Sequence, residues 1–361
     1  MKVAIIGSRG LPPRYGGFEV FAHYLAKKFS QLGYETVVYC ASNLKEAKYE
    51  LPNVKRVFIK SFPLRSLEKI FLSSQATFNA VFRERVDVII YLGVSAGFVM
   101  WLPRLFSIKT ILNPDGLEWK RRRWNFFGRA LLKTLERVAA CLADVIVADS
   151  ESIGEYIKLS YGREFTFIPY GCFDCQVDET RWQEISLKYG LEKNGYYLVV
   201  GRFVPENNYD IIMEGFLRSN TSKKLVFVTN EVPEGALRDE RIVFTGPIYN
   251  LPILNSLRRN AFAYIHGHSV GGTNPSLLEA ISCDSLVIAY DAPFNREVVG
   301  EYGFYFKTSE DLKRIIENLE TDDPPLVSER LEYYDKIRKE KYNWELVTGK
   351  YAEIIERLMK K

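Results

Sequence analysis

The chain has 361 residues, 47% of them hydrophobic and 14% aromatic. That length suits two domains with separate cores, and the composition excludes a disordered, collagen-like or low-complexity protein. The net charge of +4 hides an asymmetry: residues 1–172 carry 25 Lys and Arg against 15 Asp and Glu, a balance of +10, and the rest carries 24 against 30, or −6; a partner of the first half would be anionic, whether nucleic acid, lipid or a phosphorylated small molecule.

In chain order, residues 2–7 read as a buried strand, followed by a glycine-rich loop through Tyr15, Gly16 and Gly17. A helix over 18–32 has Phe21, Tyr24, Leu25 and Phe29 on one face and ends at Gly33. A strand over 35–40 completes a Rossmann-like opening. The loop is not a G-x-G-x-x-G fingerprint and no acidic residue ends the second strand, so dinucleotide binding is not expected. Gly16 and Gly17 stand where helix amides would meet a phosphate. Further strands are expected at 55–59, 86–92, 109–112, 145–149 and 165–169. Residues 172–194 read as a polar connector with a short amphipathic piece (Trp182, Ile185, Leu187).

A second alternating series follows, with strands at 196–200, 225–229, 242–244, 261–265 and 286–290 and a helix over 209–217. Alternation of strands and helices implies parallel sheets covered on both faces, and two such sheets face to face would make an interdomain cleft. A last helix spans about 344–361. Cys40, Cys141, Cys172, Cys175 and Cys283 are odd in number and scattered. Cys172 and Cys175 have metal-ligand spacing without a second pair, and all five read as structural thiols of a reducing compartment. Residues 1–7 are too short for a signal peptide, and no apolar run of about twenty residues appears.

Three strand-to-helix loops have anion-binding chemistry: Tyr15-Gly16-Gly17, Gly201-Arg202, and His266 to Asn274 with its Gly271-Gly272-Thr273-Asn274 turn. Glycines let a ligand approach the backbone, Thr273 and Asn274 are suitable N-caps, and Arg202 is a permanent cation able to grip phosphate with two N–H groups. Arg202 would serve equally in a surface ion pair. The stretch from Trp119 to Arg129 interleaves Lys120, Arg121, Arg122 and Arg123 with Trp124, Phe126 and Phe127. It suits an anionic membrane surface, RNA, or a solvated helix face with buried rings.

In their order, Gly201-Arg202 and Gly271-Gly272-Thr273-Asn274-Pro275-Ser276-Leu277-Leu278-Glu279-Ala280 resemble the family 4 glycosyltransferases of the GT-B fold. The stretches 7–10, 14–19, 113–120 and 266–269 are similar to a bacterial rhamnosyltransferase subgroup, and the likeness spans almost the whole chain. The resemblance implies an acceptor-side Rossmann-like domain over 1–172, a connector over 173–194, a nucleotide-sugar domain over 195–342, and a helix over 343–361 crossing back to the first. It implies retention of anomeric configuration with no metal and no cofactor besides a nucleotide-sugar substrate, best dTDP-rhamnose, with UDP- and GDP-sugars as alternatives. The acceptor would be a lipid-linked saccharide, and the enzyme cytoplasmic and peripheral on the inner face of the membrane.

By the same resemblance, Arg202 and the amides of Gly16, Gly17, Gly272, Thr273 and Asn274 would hold the diphosphate. Glu279 would take a ribose hydroxyl, and Ile248 and Tyr249 would lie along the base. Tyr15, Glu19, Glu118 and Trp119 would face the acceptor. Two positions depart from the wider family: Gly271 stands where a glutamate is usual and Asn207 where a lysine is usual, so Asn207, Asn274 and His268 are candidate replacements in the donor site. Asp115 is the candidate catalytic or acceptor-orienting carboxylate; an Asp before Gly116 also suits a plain turn. A nucleic-acid-binding protein using the basic segment is the non-enzymatic alternative; a sugar-phosphate phosphorylase or epimerase would need motifs that are not visible.

Overall fold

The computed structural model describes residues 1–13, 16–60, 67–231, 239–321 and 327–360. The chain divides into two compact units, one made of Met1–Tyr170 and Asn343–Lys361, the other of Gly171–Tyr342. In the first, strands β1 (Lys2–Ile6), β2 (Glu35–Ala41), β3 (Val54–Ile59), β4 (Val88–Leu92), β5 (Lys109–Asn113), β6 (Val145–Ala148) and β7 (Thr166–Phe167) form one sheet ordered β3-β2-β1-β4-β5-β6-β7, parallel throughout. Its helices are α1 (Gly17–Gln31), α2 (Glu68–Asn79), α3 (Trp101–Leu105), α4 (Phe126–Leu142) and α5 (Glu151–Tyr161). Unbroken apolar runs such as Val-Ile-Ile-Tyr-Leu in β4 are buried along their whole length, as strands covered on both faces must be.

The second unit holds β8 (Tyr196–Val200), β9 (Lys224–Val228), β10 (Ile242–Phe244), β11 (Ala263–His266), β12 (Val287–Tyr290) and β13 (Phe304–Phe306), ordered β10-β9-β8-β11-β12-β13 and again all parallel. Helices α6 (Glu179–Tyr189), α7 (Tyr209–Arg218), α8 (Leu251–Asn260), α9 (Pro275–Ser282), α10 (Pro293–Val299), α11 (Ser309–Thr321) and α12 (Val327–Glu340) belong to it. The sequence pattern gives no sign of β13, because three residues behind Tyr302-Gly303 are too few to show a period. The segment 173–194 is not a bare connector: α6 packs on α8 and buries Trp182 against Tyr196, ring centroids 5.9 Å apart.

After Tyr342 the chain re-enters the first unit as α13 (Trp344–Met359), lying on α1. Trp344 stacks on Tyr24 at 4.2 Å, and Tyr351 meets Phe21 edge-on at 5.3 Å. These rings bury the apolar side of α13, which the sequence alone leaves free to pack on either half.

The cysteine reading needs correction. Cys175 and Cys283 form a disulfide, leaving Cys40, Cys141 and Cys172 as thiols. Partners 108 residues apart are invisible to spacing arguments, and the cysteines no longer argue for a reducing compartment. Closing so long a loop restricts the unfolded chain, so loss of the bond should cost about 2–4 kcal/mol. We expect Cys175→Ser to lower the urea midpoint in oxidising buffer and to match wild type in excess dithiothreitol. Alkylation of the unfolded, unreduced chain should label three cysteines, not five.

Candidate functional site

A parallel sheet offers its ligand crevice outside the carboxyl ends of the strands where the order reverses. In the second unit that point lies between β8 and β11. The two loops leaving these strands are Gly201–Asn208 and Gly267–Asn274, and polar side chains tie them together. Asn207 donates from Nδ2 to the Arg202 carbonyl at 2.8 Å, and its Oδ1 lies 2.9 Å from His268 Nδ1. With the amide oriented this way, His268 donates from Nδ1.

Further hydrogen bonds join the two loops and fasten them to α10. Asn208 donates to the Gly267 carbonyl at 2.7 Å, the Ser269 amide and hydroxyl donate to the Glu206 carbonyl at 2.9 and 3.0 Å, and Asn295 donates to the His268 carbonyl at 2.9 Å. Gly267 is required by this approach: a Cβ there would stand 2.0 Å from the Asn207 carbonyl oxygen. A Cβ on Gly271 would stand 2.9 Å from His268 Nε2, so the His268 ring packs close over this glycine. Arg202 is exposed at the loop surface. Buried His266 is held neutral, burial first and His268 second pushing its pKa well down, so it adds no charge at the end of β11.

Asn274 is the N-cap of α9, accepting from the Ser276 amide at 2.9 Å, and Pro275 takes the first helical position. The amides of Leu277 and Leu278 already donate to the Asn274 carbonyl. The first turn of α9 is therefore largely self-satisfied. One turn further on, Glu279 is ion-paired with Arg258 of α8, whose side chain has no solvent exposure. Arg258 also donates to Asn255 Oδ1 at 3.2 Å and Ser276 Oγ at 3.3 Å. Sequence reasoning missed Arg258. Its one signal is a cation on the apolar side of α8, in step with Leu254 and Leu257. Ile248 and Tyr249 lie on the loop between β10 and α8, Tyr249 largely exposed.

In the first unit the order reverses between β1 and β4. The loop after β1 is tight: a Cβ on Gly7, at φ +114°, would meet the Leu92 carbonyl oxygen at 2.0 Å. Gly16 caps α1, and Glu19 curls back to it, accepting from the Arg9 amide at 2.9 Å. Tyr15 lies outside the described residues. Asp115 follows β5 with φ +66° and its amide donates to Asn113 Oδ1 at 3.0 Å, so the turn geometry is present whatever else the residue does.

Burial raises the Asp115 pKa, with Arg121 and Lys69 offsetting only part of it. A carboxyl raised in the folded state favours folding when protonated, and that contribution is lost as pH rises from the ordinary carboxylate range, about 4, through the folded value. Asn is neutral and tolerates positive φ. We therefore expect Asp115→Asn to raise stability at pH 7, by about 1 kcal/mol, and the gain to vanish below about pH 4. Urea unfolding at pH 7 and pH 3.5 reads the difference.

The basic aromatic segment is partly self-neutralised. Glu118 pairs with Arg121 Nε at 2.9 Å and with Arg123, and accepts from Trp124 Nε1 at 3.1 Å. Burial would raise the Glu118 pKa, but Arg121 and Arg123 outweigh it and hold it low. Lys120 and Lys133 lie over the Trp119 ring at 5.5 and 4.7 Å. Arg122 is exposed, and Phe126 and Phe127, opening α4, are 79% and 80% exposed. On the same unit α2 packs on α3, and Phe78, Phe82 and Phe106 form an exposed ring cluster with centroid spacings of 6.1 and 5.2 Å. Among the described residues no helix is long and apolar enough to cross a membrane, and no three His, Cys, Asp or Glu side chains group to hold a metal ion.

Comparison with known proteins bears on the fold. Residues 1–173 match the model of a domain of unknown function, DUF1972. No match was found among curated proteins. Among solved structures, sucrose-phosphate synthase from Thermosynechococcus elongatus superposes with a TM-score of 0.80 at 15% identity, covering 99% of each chain. Anabaena Alr3699/HepE in complex with UDP gives 0.75 at 15% identity over 99% of this chain and 100% of its own. WaaG, a glycosyltransferase involved in lipopolysaccharide biosynthesis, gives 0.73 at 13% identity over 98% and 99%. With two all-parallel Rossmann-like units, a C-terminal helix returning to the first, and these neighbours over its full length, the chain has the GT-B fold.

Proposed function

We propose that the protein is a retaining glycosyltransferase that moves a sugar from a nucleoside diphosphate, best dTDP-rhamnose, to a lipid-linked saccharide. The carrying observation is the seam at the switch point of the second unit, where Asn207 and His268 join two glycine-containing loops beside exposed Arg202. A leaving diphosphate gains negative charge as the glycosidic bond breaks. Preorganised N–H groups and a fixed cation therefore favour the transition state over the ground state.

In this reading Arg202, Asn207 and the amides of Gly272, Thr273 and Asn274 hold the diphosphate. Glu279 takes the ribose, and Ile248 and Tyr249 flank the base. The acceptor hydroxyl attacks the anomeric carbon on the face the diphosphate leaves, and its proton passes to the leaving phosphate oxygen. Asp115 and His268 orient the reacting groups, while Glu19, Glu118 and Trp119 face the acceptor. No bound metal is invoked.

We assign the first unit to the membrane side. Lys120, Arg122 and Phe126-Phe127, with the Phe78, Phe82 and Phe106 cluster, supply the exposed rings and cations that an anionic bilayer recruits. Arg121, Arg123 and Trp124 support that surface through Glu118. The exposed Phe126 and Phe127 and the Phe78, Phe82 and Phe106 cluster favour a bilayer over RNA, since apolar rings enter the acyl boundary. A thermal-shift screen with dTDP, UDP and GDP tests the nucleotide, because a ligand of the native state raises its apparent stability. Transfer assays with a panel of sugar nucleotides and a lipid-linked acceptor test the reaction. Absence of both nucleotide binding and transfer sinks the proposal; a shift with UDP or GDP alone replaces the donor.

A further inference from the structure

We infer that Arg258 is a positioning residue for the donor: its buried guanidinium holds the Glu279 carboxylate so that one oxygen is left to accept the 3′-hydroxyl of the nucleotide ribose. The inference rests on reading the second unit as the nucleotide-sugar site. The 3′-hydroxyl is the ribose hydroxyl that thymidine and uridine nucleotides share.

Arg258 cannot lose its charge in a protein, so burying it demands a fixed anion. Glu279 supplies that anion through Oε2. The Glu279 side chain is 19% exposed against none for Arg258, so the carboxylate reaches the surface while its anchor does not. Arg258 also reaches Ser276, whose hydroxyl lies 2.8 Å from the Tyr264 hydroxyl. The network thus joins α8 and α9 to β11, one of the two strands bounding the switch point.

Stability alone does not account for this arrangement. A buried ion pair contributes little beyond what apolar side chains of equal volume would, and Arg258 Nε has no hydrogen-bond partner among the described residues. What the pair provides is a carboxylate whose rotamer is chosen before the ligand arrives, so binding need not order it.

The test is calorimetric binding of dTDP and UDP and of their 3′-deoxy counterparts to wild type, Glu279→Gln, Arg258→Met and the double variant. Wild type should prefer the 3′-hydroxyl compound at least tenfold, about 1.4 kcal/mol. Each single variant should bring that ratio below about threefold, with affinity for the 3′-deoxy compounds within about twofold of wild type; the double variant should lose nothing further. Retention of the ratio in Arg258→Met overturns the positioning role, as does a wild type that binds dTDP or UDP without discriminating. Failure of wild type to bind dTDP, UDP or GDP at all instead removes the nucleotide reading, and this inference with it. If Arg258→Met does not unfold cooperatively, Arg258→Lys decides, since it keeps the charge and loses the fork; an unchanged ratio there overturns the proposal.

Discussion

Arg202→Ala should lower kcat/KM by about 10²–10³-fold, the usual loss when one fixed donor to a developing anion is removed. The fold should survive, because Arg202 is exposed at the loop surface and the main chain there is held by other groups. Asn207 grips the Arg202 carbonyl, not its side chain, and Asn208 and Ser269 tie the neighbouring loops through backbone atoms. Circular dichroism and urea unfolding should therefore match wild type while turnover of the sugar nucleotide falls. Arg202→Lys should recover only part of the loss, since an ammonium keeps the charge but not the two-pronged contact. Turnover equal to wild type in Arg202→Ala would remove this residue from the mechanism.

Glu279→Leu should destabilise the second unit by about 3–5 kcal/mol, because it leaves the Arg258 guanidinium buried without its anion. The double variant Arg258→Leu/Glu279→Leu should regain most of that loss, as apolar pairs commonly replace buried ion pairs at little cost or at a gain. Urea unfolding of the two single variants and the double variant gives the coupling directly. A double variant as unstable as Glu279→Leu would mean that packing, not charge, sets the cost. Restored stability should not restore wild-type nucleotide affinity, since the proposed ribose contact is gone.

The two experiments probe different layers of one site. On the proposed function Arg202 acts at the surface of a loop and its loss should be felt in rate; the loss of Glu279, which on the same proposal meets the ribose and which anchors Arg258, should be felt in both binding and folding. Asp115 belongs to a third kind. Its raised pKa is a cost to the fold at neutral pH, and an Asn replacement that raises stability yet abolishes transfer would mark a position kept for chemistry.

Much of the architecture was legible in the chain because its signals are local. Apolar runs such as Val88–Leu92 declare buried strands, Gly33 ends a helix, and an Asn before Pro275 starts one. The loops carrying Gly16, Arg202 and Gly271–Asn274 could be found for the same reason: glycine punctuation between a strand and a helix is a short-range pattern. Only the tertiary structure decided which side chains meet. Arg258 and Arg259 are neighbours in sequence, yet the first is wholly buried on Glu279 and the second is half exposed. Asn207 finds His268 across 61 residues and Cys175 finds Cys283 across 108. Arg121 and Arg123, which the sequence offers to a membrane surface, RNA or solvent, both pair with Glu118. Periodicity fixes the face a residue occupies to within a turn, but pairing depends on which strands and helices become neighbours, and that order is set by packing of the whole unit.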